Sequence, residues 1–230
     1  MSTAQGLGAN GGTTSGIDTS TADTIFIIVA YQTSGTISLS DSKSNTWTLI
    51  RTENNGFDIK NALYRSDTPA TVGSGHTFTA TLSGGVVAVA ITAFAGGATS
   101  SIDDQNEGNG TIFSSTIAPG SITPTADNTI VITGATASDD TTDPNSINGG
   151  FTIAAHFANG SSSFGVGIAY LVQTTATAAD PTWTLSQSAV HEAATIGNFK
   201  AAAGGGGRTT KNTRAWPLGT EIGMNWRGAA

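Results

Sequence analysis

The chain contains no cysteine, which removes disulfides, thiolate catalysis and Cys-ligated zinc together and leaves packing to carry stability. Charge is also scarce, at 11% of 230 residues. No apolar run approaches the ~18 residues of a membrane-spanning helix. The opening Met1-Ser2-Thr3-Ala4-Gln5-Gly6 has neither the basic start nor the apolar stretch of a signal peptide, so a soluble protein made without Sec export is expected. Enzyme signatures are missing too. There is no Gly-x-Ser-x-Gly elbow and no paired-His zinc motif, and Gly204 to Gly207 lacks the Lys-Ser/Thr of a phosphate loop. The histidines, His76, His156 and His191, lie far apart in the chain.

What is abundant is Gly, 30 residues of it, with Thr, Ser and Ala, a bias that suits short strands and tight turns and disfavours helices. A chain of this length folds to roughly 9,600 Å² of accessible surface from about 33,000 Å², enough burial for one good core. Charge is uneven. Residues 1–207 carry five Lys/Arg against fifteen Asp/Glu, and residues 208–230 carry four against one. The acidic body repels DNA and anionic membrane, so neither partner is expected for it.

An internal repeat organises the body. Ala22-Asp23 precedes Ile25 to Ile28, and 104 residues later Ala126-Asp127 precedes Ile130-Val131-Ile132. Trp47-Thr48-Leu49 meets Phe151-Thr152-Ile153, and Asn55-Gly56 meets Asn159-Gly160, at the same spacing. With small gaps, Leu63-Tyr64 answers Ala169-Tyr170, Thr77-Phe78-Thr79 answers Thr182-Trp183-Thr184, and Val87 to Phe94 answers Val190 to Phe199. Thr24 to Tyr31 and Val86 to Phe94 read as strands buried on both faces. Phe78, Ala80 and Leu82, and likewise Phe151, Ile153, Ala155 and Phe157, alternate as half-buried strands do. Gly- and Asn-rich turns separate the runs, and Pro69, Pro119, Pro124, Pro144 and Pro181 sit at strand ends. The pattern predicts an all-β antiparallel β-sandwich, jelly-roll-like, with an internal duplication. The body spans residues 1–203, with pseudo-repeats at about 13–97 and 117–201. A Gly-rich linker and extended C-terminal arm occupy 204–230.

Two acidic stretches, Asp103-Asp104 to Asn109 and Asp139-Asp140 to Asn145 with Asp143, read as loops crowded with oxygen ligands of the kind calcium takes, though neither fits an EF-hand. Solvated turns capped by Asp and Asn explain them as well, so calcium is the one cofactor left open. Glycan binding would need exposed aromatics. Trp47 and Trp183 are better explained as core, while Tyr31, Tyr64 and Tyr170 stay open as surface positions. His156 alternates out of the Phe151 to Phe157 face toward solvent. A glycoside hydrolase or lyase would require two carboxylates facing one cleft at roughly 5 to 9.5 Å.

The segment after Lys200 differs in kind. Four glycines read as a linker, and beyond them stand Arg208, Lys211, Arg214, Trp216, Leu218, Ile222, Met224, Trp226 and Arg227, including two of the four tryptophans. Aromatic anchors flanked by Arg are the composition of interface hot spots. The arm's positive charge complements the acidic body, so docking on a neighbouring copy and folding back on its own body are both consistent with it.

Gly16-Ile17-Asp18-Thr19 with Ala22-Asp23, Ser40-Asp41-Ser42-Lys43-Ser44-Asn45-Thr46-Trp47 and Thr123-Pro124-Thr125-Ala126-Asp127 resemble turn-and-strand patterns of β-sandwich virion proteins of tailed bacteriophages and prophages. The likeness covers roughly Gly16 to Lys200. It implies a structural virion part assembled in the host bacterial cytoplasm: a head decoration or cement protein, or a tail or fibre subunit. Its implied partners are other copies of the chain and virion proteins such as the major capsid protein.

Overall fold

The computed structural model describes residues 2–32, 34–57, 59–67, 69–110, 113–138, 142–158, 164–189 and 191–201, with the side chains of 2–11 and 97–101 excepted. These residues are all-β. Six strands come first: β1 (Ser2–Thr13), β2 (Thr24–Gln32), β3 (Ile37–Asp41), β4 (Thr48–Asn54), β5 (Ile59–Asp67) and β6 (Phe78–Phe94). Eight follow: β7 (Gly97–Asn109), β8 (Ser114–Ile117), β9 (Thr129–Ser138), β10 (Pro144–Ile147), β11 (Thr152–Ala158), β12 (Gly165–Gln173), β13 (Trp183–Ala189) and β14 (His191–Ala201).

Every pairing between these strands is antiparallel. One large sheet runs β1-β6-β2-β5-β4, and the other runs β11-β12-β9-β14-β7. Read from the opposite edge, the second repeats the first, with β7, β14, β9, β12 and β11 standing where β1, β6, β2, β5 and β4 stand. β6 serves two layers. Its second half lies between β1 and β2, while Phe78 to Leu82 pairs with β3. Gly84 and Gly85 lie between these stretches, and Gly85 at φ +105° adopts a backbone that side chains rarely tolerate. In the second half of the chain the same path is divided into β13 and β14, and β13 pairs with β10 and β8 as a three-stranded sheet. Even the isolated bridges correspond, Ile17 to His76 and Ile122 to Ala179.

β2 and β9 read as unbroken apolar runs because each large sheet is covered on both faces. Phe26, Ile28, Ala30, Leu63 and Phe94 meet Ile130, Ile132, Val166, Ile168, Tyr170 and Phe199 in one core between the large sheets. On the outer faces, Ile25, Ile27 and Val29 pack under Phe78, Ala80 and Leu82, and Ala135, Ala169 and Ala194 pack under Trp183, Leu185 and Ile117. The packing is reciprocal. β5 touches β9 and β14 as β12 touches β2 and β6, and β4 touches β7 as β11 touches β1. Contacts that exchange partners in this way are those of an approximate two-fold axis.

The central core is tight and carries polar pins. Phe26 lies 4.6 Å from Phe199 and Phe94 5.2 Å from Tyr170, centroid to centroid. A Cβ on Gly134 would fall 2.3 Å from the Ile28 side chain, so glycine there lets the sheets approach. Asn61 donates to the Thr136 hydroxyl and accepts from the Thr195 hydroxyl at 2.6 Å, a buried bridge between the two sheets. Such a bridge has one satisfied geometry and resists sliding.

Three sequence expectations need correction. Tyr64 and Tyr170 do not occupy matching places: Tyr64 packs on the outer face of its sheet and Tyr170 in the central core. The match is one residue out, which in a strand exchanges the faces. Phe151, Ile153, Ala155 and Phe157 do not share a face either, because a bulge between Ile153 and Ala155 sends the first two outward and the last two inward. Finally, Asp103 to Asn109 is not a loop but most of edge strand β7. Its sequence lacks apolar alternation because an edge strand can keep both faces polar.

Candidate functional site

The most elaborate polar cluster of the body gathers around Asp41 at the end of β3. His76 offers Nδ1 to the Thr19 hydroxyl at 2.9 Å and Nε2 to Asp41 Oδ1 at 3.0 Å. Asp41 also accepts from the Lys43 amide at 2.8 Å, from the Asn45 amide and from Trp47 Nε1 at 3.0 Å. His76 stacks on Phe78 at 4.2 Å. A hydroxyl, an imidazole and a carboxylate in this order are the parts of a nucleophilic triad. Here the Asp41 and His76 side chains are fully buried and Thr19 nearly so. The Thr19 hydroxyl is further bonded to the amide and carbonyl of Gly73. The cluster therefore works as a clip that ties the turns at 18–20, 41–47 and 73–76 to the flank of the first large sheet.

A second cluster joins β7, β14 and the stretch before β9. Asp103 accepts from the Thr125 amide at 2.6 Å, the Thr125 hydroxyl and Asn198 Nδ2 at 2.9 Å, and pairs with Lys200 Nζ at 3.0 Å. Burial pushes this carboxyl up, but Thr125 and Lys200 outweigh that and hold it below its ordinary value. Asp104 accepts from the Thr123 amide at 2.8 Å. Of the calcium candidates, Asp103 and Asp104 thus direct their oxygens at N–H and O–H donors, and Asp143 bonds His156 at 2.9 Å. Asp139 and Asp140 lie outside the described residues. Among the described residues, no three His, Asp or Glu gather as a metal group.

The start of β14 is different in character. Glu192 is fully buried on the outer face of its sheet, and the Ser114 amide is the donor that addresses its carboxylate, without the geometry of a well-formed hydrogen bond. Desolvation pushes it up to about 7, only partly opposed by the Ser114 amide. Beside it, His191 stacks on Phe57 with rings 4.7 Å apart and 6° from parallel. Phe57 is 59% exposed and Phe113 is 70% exposed. Phe113 precedes Ser114, which pairs with Ala189 just before β14. It also holds φ at +62°, a left-handed backbone uncommon for a bulky aromatic residue.

No family model, curated protein or solved structure matches this chain. The nine arm positions, Arg208, Lys211, Arg214, Trp216, Leu218, Ile222, Met224, Trp226 and Arg227, lie outside the described residues. Both body tryptophans are structural. Trp183 is fully buried and donates to the Thr133 hydroxyl at 3.2 Å, and Trp47 packs edge-on against Phe78 at 5.9 Å. Tyr31 and Tyr170 are buried as well, which removes them as glycan platforms. Tyr64, half-buried, has its hydroxyl pushed up to about 12 by desolvation with Tyr31 nearby.

Sequence reasoning missed the roles of Asp41, His76 and Glu192. Asp41 lies inside the Ser40 to Trp47 pattern, where its six-residue spacing to an indole N–H is a readable signal. Glu192 is the acidic residue of a strand whose Ala193, Ala194, Ile196 and Phe199 are buried, a mismatch that marks either a buried partner or a site.

Proposed function

We propose that the protein is a structural virion component of a tailed phage, a capsid decoration or cement protein that assembles through residues 204–230. The observation that carries this reading is how the body spends its polar groups. Its elaborate clusters, at Asp41, at Asp103 and at Asn61, are closed on themselves and hold turns and sheets together, and the fourteen strands of the described residues, laid out on a two-fold plan, suit a body that bears contacts. The basic, aromatic arm on an acidic body supplies the means of attachment. A non-enzymatic role, a location in the virion and copies of the chain or the major capsid protein as partners belong to the same reading, and a tail or fibre subunit is its variant.

Deletion of 204–230 is expected to abolish assembly, read by native mass spectrometry, while circular dichroism of the body stays unchanged. Normal assembly after the deletion would sink the reading. A glycan-binding module is the second reading, favoured by the exposed rings of Phe57 and Phe113. It predicts hits on a glycan array that Phe57→Ala and Phe113→Ala remove.

A further inference from the structure

β3 closes the flap over the first large sheet, and among the described strands it pairs with β6 alone. The Ser83 amide donates to the Thr36 carbonyl and the Ser42 amide to that of Thr77. By the alternation of an antiparallel ladder, Ser38 and Ser40 therefore bond to β6, while Ile37 and Leu39 turn their amide and carbonyl groups to the free side. The side chains alternate too. Ser38 and Ser40 are exposed, and Ile37 and Leu39 pack down, half-buried, onto the sheet. The sheet surface continues apolar past them: Trp47 and Tyr64 are half-buried there, and Leu49, cross-strand from Tyr64, is 50% exposed. An open strand edge over an apolar floor is a seat for an added strand. Other edges of the described body suit one less. β4 is tied to β7 by Arg51 with Glu107 and by Asn109 with Glu53 at 2.9 Å, β7 carries Asp103, Asp104 and Glu107, and β10 has four residues and opens with Pro144.

We infer that residues 222–226 of the same chain add to the free side of β3 as an antiparallel strand, with Ile222, Met224 and Trp226 on the floor of Leu49 and Tyr64. Outside the described residues, this stretch alone has the period of a strand. Ile222, Met224 and Trp226 alternate with Gly223 and Asn225, and Glu221 and Arg227 continue the polar side. Trp216 and Leu218 flank Pro217, which has no N–H for a ladder. The period matches that of β3, apolar beneath and polar above. Its direction follows from the body. Phe199 lies 4.6 Å from Phe26, so β14 runs out at the end of the sandwich where β2 begins, and β3 runs toward that end, where His76 joins Asp41 to Thr19. An arm strand rising from there lies antiparallel to β3, like every pair among the described strands. The tether favours the same chain. From Ala201 to Ile222 is 21 residues, a reach of up to ~70 Å, and slack of this kind holds a tethered segment at roughly millimolar local concentration. The inference stands without the assembly reading, since docking only closes 202–221 into a loop that carries Arg208, Lys211 and Arg214.

The test uses the full chain, whose lack of cysteine makes paired substitutions clean. Leu49→Cys with Met224→Cys is expected to form a disulfide within one chain, read by non-reducing electrophoresis and peptide mass. Leu49→Cys with Asn225→Cys, on the opposite side of the added strand, is expected to form it at least tenfold more slowly. Equal rates mean a tether without a strand, and disulfide-linked dimers in place of the internal bond give the seat to a second copy; either result overturns the inference. Amide exchange read by NMR checks the backbone. Deleting 204–230 is expected to speed exchange at Ile37 and Leu39 at least tenfold and to leave Ser38 and Ser40 unchanged. Leu49→Lys, at a half-exposed position, is expected to keep the thermal melt of the body and to speed the same two amides with the arm present. Unchanged exchange at Ile37 and Leu39 in both variants overturns the inference as well.

Discussion

The two halves of the molecule follow one strand path and close its flank with opposite chemistry. In the first half β3 ends in Asp41, cross-strand from Phe78, and the carboxylate binds Trp47 Nε1. In the second half β10 ends in Ile147, cross-strand from Trp183, and Phe151 packs where Trp47 does. Tryptophan and phenylalanine have exchanged places between the strand and the segment that flanks it, so the pair keeps its summed volume. The indole N–H has changed its acceptor, from a carboxylate to the Thr133 hydroxyl. The backbone ladders set the path, and side chains need only fill the flank and satisfy one N–H.

The largest expected break in this comparison is Asp41→Ala. It strands His76, Trp47 Nε1 and two amides in a buried place and should cost about 3–5 kcal/mol in urea denaturation. Ile147→Ala, half-buried, should cost about 1–2 kcal/mol. Equal costs would mean that the clip adds nothing to what packing achieves in the other half.

Next comes the inward position that is Ala30 on β2 and Gly134 on β9. Gly134→Ala forces the Ile28 side chain to move and should cost about 1–3 kcal/mol, whereas Ala30→Gly should cost about 1 kcal/mol. Thermal melts of the two variants measure the asymmetry directly.

Glu192 gives the third difference, and its sign is set by its raised value. From pH 4.5, the ordinary value, to about 7 the folded chain holds a proton that the unfolded chain has released. Stability from this group is therefore full below 4.5 and falls as pH rises to about 7. Glu192→Gln should flatten that slope and add about 1–2 kcal/mol at pH 8. A slope between pH 5 and 7 unchanged by the substitution would count against the buried charge.

Lys200→Met is expected to be the smallest, below about 1 kcal/mol, because the lysine is 40% exposed and Asp103 keeps its other donors. Its contribution should vanish in acid, as pH falls through the lowered value of Asp103.

Much of the architecture was legible in residue order. Runs such as Thr24 to Tyr31 announce strands covered on both faces, and Phe78-Thr79-Ala80-Thr81-Leu82 announces one buried face. β1 and β7 were not legible, because Gly6 to Gly12 and Asp103 to Asn109 carry no period that an edge strand must keep. The bulge at β11 escaped for another reason: it is a property of the ladder with β12, and Phe151 to Phe157 alternates the same with it or without it. At the site, types were readable and company was not. Asp41 and His76 lie 35 residues apart, and only the β3–β6 ladder brings them together.

β14 lies between β9 and β7 with antiparallel rungs on both sides, and its last described residue is the point from which the arm departs. A pull on the arm along that strand loads both ladders in shear, so the rungs share the force instead of opening one after another. The clasp at Lys200 and Asp103 sits at the first point to be strained. Under such a load the body's own sheets would be the last part of the chain to come apart.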